Sequence, residues 1–174
     1  MMQMLAAGGI PPVTDGLRLP DADNPRGYFE HAGVKRLGHD PEMMASAPGK
    51  AIKVISALLA DLPAGWDYRV LFMRRPLAAV LASQATMLRR WGATVDDTEQ
   101  ERLATAFTLH LERVRTALEA RADVRVMDVD YHALLAAPLA TAARVRAFLE
   151  TPLDVDRMAS AVDPQLCRHR TPAD

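Results

Sequence analysis

The sequence predicts an α/β domain built on a parallel sheet with helices packed on it. Three short runs are rich in β-branched or aromatic residues and are bounded by turn residues: Ala51–Ile55, Tyr68–Met73 and Val124–Val129. Segments of helical composition separate these runs, and hairpin turns do not. Strands that alternate with helices are typical of parallel sheets covered by helices.

Size and composition indicate one globular domain that spans residues 1–174. The chain has 174 residues, of which 49% are hydrophobic and 25% are charged. A chain of this length can bury a sizeable core without disulfides or a structural metal. We therefore expect a single folded unit, with a loop-rich region over residues 10–30, where Pro, Gly, Asp and Asn are frequent.

The predicted helices cover most of the remaining chain. Residues 76–91 begin with Pro76, a favourable residue for the first turn of a helix. Four further segments have helical composition or periodicity: 1–7, 97–122, 131–149 and 154–161. Gly8 and Gly9 are expected to end the first of them.

The segment from Asp97 to Ala122 predicts the longest helix, and its apolar residues fall on one face. Asp96 and Glu99 fit a variant of the capping box at its start. His110 lies on the apolar face, so the sequence predicts a histidine satisfied within the core rather than a catalytic one. The other members of this face are Leu103, Phe107, Leu111, Val114 and Leu118.

Net charge and motif content exclude several function classes. The formal net charge is −1, so no global positive field favours nucleic acid or an anionic membrane. The single cysteine, Cys167, cannot form an internal disulfide, which favours a reducing cytoplasm. The apolar opening is too short to span a bilayer. HExxH, paired CxxC and GxSxG motifs are absent, so the sequence predicts no metal site and no serine hydrolase.

Two arginines, Arg74 and Arg75, stand where the predicted strand Tyr68–Met73 meets the next helix, and Ser83 follows eight residues after Arg75. Ligands of parallel α/β sheets bind beyond the carboxyl ends of strands, where helix N-termini direct free N–H groups outward. The planar guanidinium suits phosphate or sulfate oxygens. We interpret these residues as an anion-binding group for a nucleotide phosphate; the alternative is a pair of arginines bound to surface carboxylates.

Lys53 lies in the interior of the predicted strand Ala51–Ile55, where a buried ammonium is costly unless it meets an anion. The alternative is a lysine that leans outward at an edge. Glu30 follows Tyr28 and Phe29, and desolvation by aromatic neighbours raises a glutamate pKa toward a value useful in a general base. The alternative there is a loop anchored by the two aromatics with Glu30 in solvent.

The sequence resembles the P-loop sulfotransferases, especially a group of small bacterial members. The stretches "AIKVISALLADLP", "RVLFMRRPLAAVLASQ" and "DVDYHALLAAPLATAARVRAFLE" match family segments in the right order, and "NPRGYFE" and "VDPQLCRHR" are similar to stretches of the bacterial group. The resemblance covers essentially the whole chain. It implies a three-layer P-loop NTPase-like sandwich with a mostly parallel sheet.

The resemblance also implies an activity. The family transfers a sulfuryl group from 3′-phosphoadenosine 5′-phosphosulfate (PAPS) to a hydroxyl or amine, here of a small-molecule or carbohydrate acceptor, without a metal. Lys53 would lie near the sulfuryl group. Arg75 and Ser83 would hold the 3′-phosphate, with Arg74 as a helper. The remaining implied contacts are Tyr131 near the adenine, and Arg168 and Arg170 closing over the 3′-phosphate.

The sequence departs from the family pattern at two places. Ile55 stands where the family often has a histidine base, so Glu30 becomes the substitute base. The family begins with a strand and a Pro-Arg-Ser-Gly-Thr-like phosphate loop, whereas "MMQMLAAGG" resembles the helix after that loop. We therefore expect an N-terminally truncated sequence in which neighbouring strands keep unpaired backbone groups and which lacks donors for the leaving oxygen. Such a loss could weaken nucleotide binding and turnover in the chain as written.

Two rival interpretations remain open. A small P-loop nucleotide kinase fragment would explain Asp128 and Asp130 after a strand as magnesium ligands, but Ala51 follows Gly49-Lys50 where a Walker motif needs Ser or Thr. A degenerate, non-enzymatic family member would instead use the long amphipathic helix as a surface for a protein partner.

Overall fold

The computed structural model describes residues 1–21, 24–37, 39, 42–81 and 97–164. At its centre lie two parallel strands, β1 (Tyr68–Arg74) and β2 (Val124–Asp130). Tyr68 pairs with Val124 at one end and Arg74 pairs with Asp130 at the other. Both strands were predicted from their composition, and their parallel pairing brings their carboxyl ends to the same edge of the sheet.

Helices surround this sheet. The α-helices whose bounds lie within the described ranges are α1 (Met2–Gly8), α2 (Glu42–Ala45), α3 (Asp97–Glu119), α4 (Tyr131–Ala136), α5 (Pro138–Leu149) and α6 (Val155–Ser160). Two 3₁₀ helices cover Ala32–Arg36 and Ser56–Asp61. Residues 77–81 are helical directly after Pro76, which confirms the predicted start of that helix; its predicted continuation to residue 91 lies outside the described ranges.

The prediction of one helix over residues 131–149 is wrong, because the structure has two. α4 ends at Ala136 and α5 begins at Pro138, with Ala137 between them at φ −137° and ψ 67°. A proline disfavours the α conformation for the residue before it, and it has no N–H to continue the helical ladder. Pro138 therefore starts a new helix instead of extending the old one.

The predicted strand Ala51–Ile55 is also wrong. Only Ala51 forms a bridge, with Pro12, through hydrogen bonds from the Val13 N–H to the Ala51 carbonyl (2.8 Å) and from the Ala51 N–H to the Pro11 carbonyl (3.0 Å). The backbone of Ile52, Lys53 and Val54 makes no hydrogen bond with any described residue. Composition favours an extended chain here, but a strand also needs a neighbour, and no described strand runs beside this segment.

The sheet separates two hydrophobic cores, one on each face. One core packs α3 and the Ser56–Asp61 helix against the sheet; its most buried members are Leu118, Leu37 and Met44. The other packs α1, α5 and α6 against the opposite face around Met158, Val145 and Ala142. Helices on both faces of a parallel pair confirm the α/β class.

The long helix α3 was predicted with nearly its observed bounds. Its apolar face is buried at Val114 and Leu118, as predicted, but Leu103 is 51% exposed. Asp96 of the predicted capping box lies outside the described ranges. The packed part of α3 is therefore its carboxyl-terminal half.

The helices α1 and α6 approach each other closely at Gly8. A Cβ atom on Gly8 would lie 2.5 Å from Cγ of Met158, and the Asp154 N–H donates to the Gly8 carbonyl at 3.1 Å. The Asp154 carboxylate also caps α6 by accepting from the Arg157 N–H at 2.9 Å. Only glycine fits this contact without displacing a buried side chain.

No helix within the described ranges is long and apolar enough to cross a membrane.

Candidate functional site

A cleft of about 1910 Å³ runs along one edge of β1. It is lined by consecutive residues of β1 and by the extended segment 51–55, whereas β2 contributes only its last residue, Asp130. The cleft therefore lies beside the edge of β1 that faces away from β2. Four of the predicted site residues line it: Lys53, Arg74, Arg75 and Tyr131.

Arg74 and Arg75 lie at the carboxyl end of β1, where the sequence predicted an anion-binding group. No ion pair joins either arginine to a carboxylate of the described residues, so the alternative of two arginines bound to surface carboxylates has no support there. Nε of Arg75 is buried and has no hydrogen-bond partner in the described part of the chain. A buried donor without an acceptor is costly, which makes this guanidinium ready to bind an anion.

Tyr131 lies beside Arg75 because the chain turns from β2 into α4 at this point. The carboxylate of Asp130 caps α4 by accepting from the Ala133 N–H at 2.7 Å, so the chain turns into the helix at Tyr131. The guanidinium carbon of Arg75 lies 5.1 Å from the centre of the Tyr131 ring. A cation above a ring is attracted to its π face, and the pair forms a flat wall at the carboxyl end of the sheet.

Lys53 meets an anion, but its side chain is exposed rather than buried, so neither of its two interpretations holds in full. Its Nζ donates to Oε1 of Glu30 at 3.0 Å and to the backbone carbonyl of Tyr28 at 3.1 Å. The side chain of Lys53 is 40% exposed and that of Glu30 is 39% exposed. The two residues that the sequence analysis named as catalytic are therefore in direct contact, although 23 positions separate them.

Glu30 has a second cationic neighbour, Arg18, whose Nη1 lies 3.2 Å from Oε2. Partial burial works to raise the pKa of Glu30, but the hydrogen bonds and charges of Lys53 and Arg18 together outweigh it and lower the pKa. The expectation of a raised pKa is therefore wrong. An ionised carboxylate held by two cations is a weaker base than an isolated one.

The loop that carries Glu30 is folded rather than solvated. Tyr28 is 7% exposed, its hydroxyl donates to Oδ2 of Asp21 at 2.6 Å, and the guanidinium carbon of Arg18 lies 3.3 Å from the centre of its ring. Asp15 accepts hydrogen bonds from the Ala32 and Leu17 N–H groups, and these bonds lower the pKa of its carboxyl. The loop therefore fixes the position of Glu30.

His110 does not lie in the packed core, contrary to the sequence-based interpretation. It is half-buried, it lines the cleft, and its Nε2 lies 3.0 Å from Oγ of Ser56. The residues of α3 that pack in or against the core are Leu111, Val114 and Leu118, all after His110. The sequence could not show this contact, since 54 positions separate the two residues.

Three predicted site residues, Ser83, Arg168 and Arg170, lie outside the described ranges. Two others were missed by sequence reasoning, Arg18 and Ser56. Arg18 belongs to no periodic pattern or motif, and Ser56 lies in the family-like stretch "AIKVISALLADLP" without an implied role, so the sequence carried no signal for their contacts with Glu30 and His110. Within the described part of the chain, no group of three or more His, Cys, Asp or Glu residues could hold a metal ion.

A family model described as the sulfotransferase family matches residues 51–155, more than half of the chain. The chain belongs to the sulfotransferase family. The matched region contains Lys53, both strands, Arg75 and Tyr131, whereas Glu30 lies before it. No curated protein and no solved structure matches the chain.

Proposed function

We propose that this sulfotransferase family member binds PAPS in the cleft beside β1 and transfers its sulfuryl group to a hydroxyl or amine. The acceptor would be a small molecule or a carbohydrate. The observation that carries the proposal is Arg75, whose buried Nε has no partner in the described residues and which lies against the Tyr131 ring at the carboxyl end of a parallel pair. This arrangement suits a phosphate next to an aromatic base.

Donor binding is assigned to residues of this carboxyl edge and to residues outside the described ranges. We propose that Arg75 binds the 3′-phosphate with Ser83, and that Arg74 assists. Tyr131 is proposed to contact the adenine, since an aromatic ring gives a base a stacking surface. Arg168 and Arg170 are proposed to close over the same phosphate.

Lys53 is proposed to stabilise charge on the sulfuryl oxygens during an in-line displacement, by analogy with phosphoryl transfer. Glu30 and the Tyr28 carbonyl hold its ammonium at 3.0 and 3.1 Å. Glu30 was predicted to be the base, but its lowered pKa favours a different task, that of positioning Lys53. The proton of the acceptor then needs another receiver.

Calorimetry tests the donor site. We expect adenosine 3′,5′-bisphosphate to bind more tightly than ATP with magnesium, because only the former carries a 3′-phosphate. Arg75→Ala should weaken bisphosphate binding about 10- to 100-fold, the loss of a charge-assisted hydrogen bond. Arg144→Ala, an exposed arginine on α5, is the matched control and should bind like the wild type. Equal or tighter binding of ATP with magnesium would contradict the proposal.

A further inference from the structure

The contact between Ser56 and His110 places a hydroxyl and an imidazole in the wall of the cleft. Ser56 begins the 3₁₀ helix three residues after Lys53, and His110 reaches it from the middle of α3. Oγ and Nε2 are 3.0 Å apart, and both side chains are half-buried. The Phe107 ring, 6.0 Å from the imidazole by centroids, shields one side of the histidine. The pair is thus partly protected from water and open to the cleft.

We propose that His110 is the general base of the reaction and that it receives the acceptor proton through the hydroxyl of Ser56. This inference rests on the proposed sulfuryl transfer, because a hydroxyl acceptor must lose its proton as it bonds to sulfur. Histidine serves as a general base more often than any other side chain, and a hydroxyl within hydrogen-bond reach of it is the usual arrangement for activation.

Apart from Glu112, the other candidate bases are already engaged; Glu30 is among them, although it does not line the cleft. Glu30 is bound by Lys53 and Arg18, and Asp130 caps α4. Asp67, which also lines the cleft, is ion-paired with Arg69. Glu112 lines the cleft as well and lies two positions after His110, so it is the alternative that an experiment must separate from the histidine.

The step balances as follows for a hydroxyl acceptor. The acceptor oxygen forms a bond to sulfur, and the bond between sulfur and the bridging phosphate oxygen breaks, leaving its electron pair on that oxygen. The acceptor proton passes to Oγ of Ser56 while the Ser56 proton passes to Nε2 of His110. The products are the sulfated acceptor, adenosine 3′,5′-bisphosphate and an imidazolium, which returns its proton to solvent.

Transfer from PAPS to 2-naphthol, a neutral aryl hydroxyl, tests the proposal. His110→Gln keeps a group able to hydrogen-bond Ser56 but removes the base, so we expect kcat to fall about 100-fold or more. The kcat of His110→Ala should fall by a similar factor, and free imidazole added to the assay should restore part of it. Ser56→Ala should lower kcat by less than either His110 variant does. Bisphosphate affinity, measured by calorimetry, should stay within about twofold of the wild type in all three variants.

Two matched controls isolate the imidazole. Glu112→Gln changes a neighbouring residue of the cleft, and His39→Ala removes an exposed histidine that does not line it. Both should retain wild-type turnover. Reduced turnover in Glu112→Gln together with normal turnover in His110→Gln would overturn the assignment and make the Glu112 carboxylate the base.

Further outcomes would overturn the role of His110 or the proposed function. Turnover of His110→Gln within about threefold of the wild type, or a loss in His110→Ala that imidazole does not restore, would overturn the role of His110. A wild-type chain that binds the bisphosphate yet transfers nothing to 2-naphthol would overturn the base and leave the donor site standing. A chain that does not bind the bisphosphate would refute the proposed function itself.

Discussion

The contacts of Lys53 hold its ammonium in position more than they stabilise the fold. Its partner Glu30 is shared with Arg18, and both members of the Lys53–Glu30 pair are more than one third exposed. Exposed ion pairs contribute little to stability, because water and salt screen them. The value of this arrangement lies in fixing the position of one cation, since each of its two acceptors belongs to the folded loop.

Lys53→Met removes that charge and should lower the rate of sulfuryl transfer with little effect on bisphosphate affinity. Loss of a group that stabilises transition-state charge costs about 100- to 1000-fold in kcat. Steady-state kinetics with PAPS, together with calorimetry, measure the two effects separately. Lys35→Met, which changes an exposed lysine of the Ala32–Arg36 helix, should leave both unchanged. A fall in affinity equal to the fall in kcat would place Lys53 in binding rather than in chemistry.

Glu30→Gln should make stability less dependent on pH. The pKa of Glu30 is lowered in the folded chain, so its ionised form stabilises the fold above the ordinary glutamate value of about 4.3. This contribution is lost as pH falls through the lowered pKa. The difference in Tm between wild type and Glu30→Gln should be largest near neutrality and should shrink in acid. Thermal unfolding at several pH values measures it, and a difference that stays constant would contradict the shift.

For single residues, the sequence predicted the position of those that stand at the end of a regular strand. Arg74 and Arg75 lie at the end of a strand whose composition is unambiguous, so their place at the carboxyl edge could be read directly. The contact between Lys53 and Glu30 was not predicted, although the resemblance to the family had given each of them a role. The Ser56–His110 contact could not be predicted, because 54 positions separate the two residues and it depends on how α3 packs beside the Ser56–Asp61 helix.

At the scale of helices and strands, the close approach of α1 and α6 allows a direct test of how much their packing stabilises the fold. Gly8→Val places a branched side chain where Met158 is fully buried, and overpacking of this kind costs about 1–3 kcal/mol. Ala7→Val is the control, because it places the same side chain at the neighbouring position of α1. Valine costs helix propensity relative to alanine but not relative to glycine, so propensity alone would favour Gly8→Val. Urea unfolding monitored by circular dichroism compares the two. Equal stability of the variants would show that α1 and α6 separate easily.

Elements whose composition and end residues both indicate the same structure were predicted well. The strands β1 and β2 combine β-rich composition with turn residues at both ends, and α6 has a capping aspartate. The break between α4 and α5 was missed although Pro138 marks it, because the apolar periodicity continues across the proline. The segment 51–55 was assigned as a strand because composition reports an extended backbone and says nothing of a neighbouring strand.

For the molecule as a whole, the open side of the sheet is the feature that exchange experiments can test. The Tyr68 N–H donates to the Asp123 carbonyl at 2.8 Å, toward β2. Since successive N–H groups of a strand point to alternate sides, those of Arg69, Leu71 and Met73 point into the cleft. None of them forms a backbone hydrogen bond within the described residues.

Hydrogen exchange should therefore alternate along β1. Amides of Arg69, Leu71 and Met73 should exchange faster than those of Val70 and Phe72, which face β2. The amides of 52–54, across the cleft, should exchange fast as well. Two-dimensional NMR in deuterated water resolves these positions, and the alternate residues of one strand act as their own control. Equal protection along β1 would mean that another segment pairs with its second edge.

The edge of β1 that is unpaired within the described residues also bears on how the protein behaves in concentrated solution. An exposed row of donors and acceptors is a template on which separate polypeptides build a common sheet. Met73, which is 38% exposed on that edge, would meet the incoming chain. A glutamate at this one position would add repulsion between copies, and it is the first substitution to make if preparations of the protein precipitate.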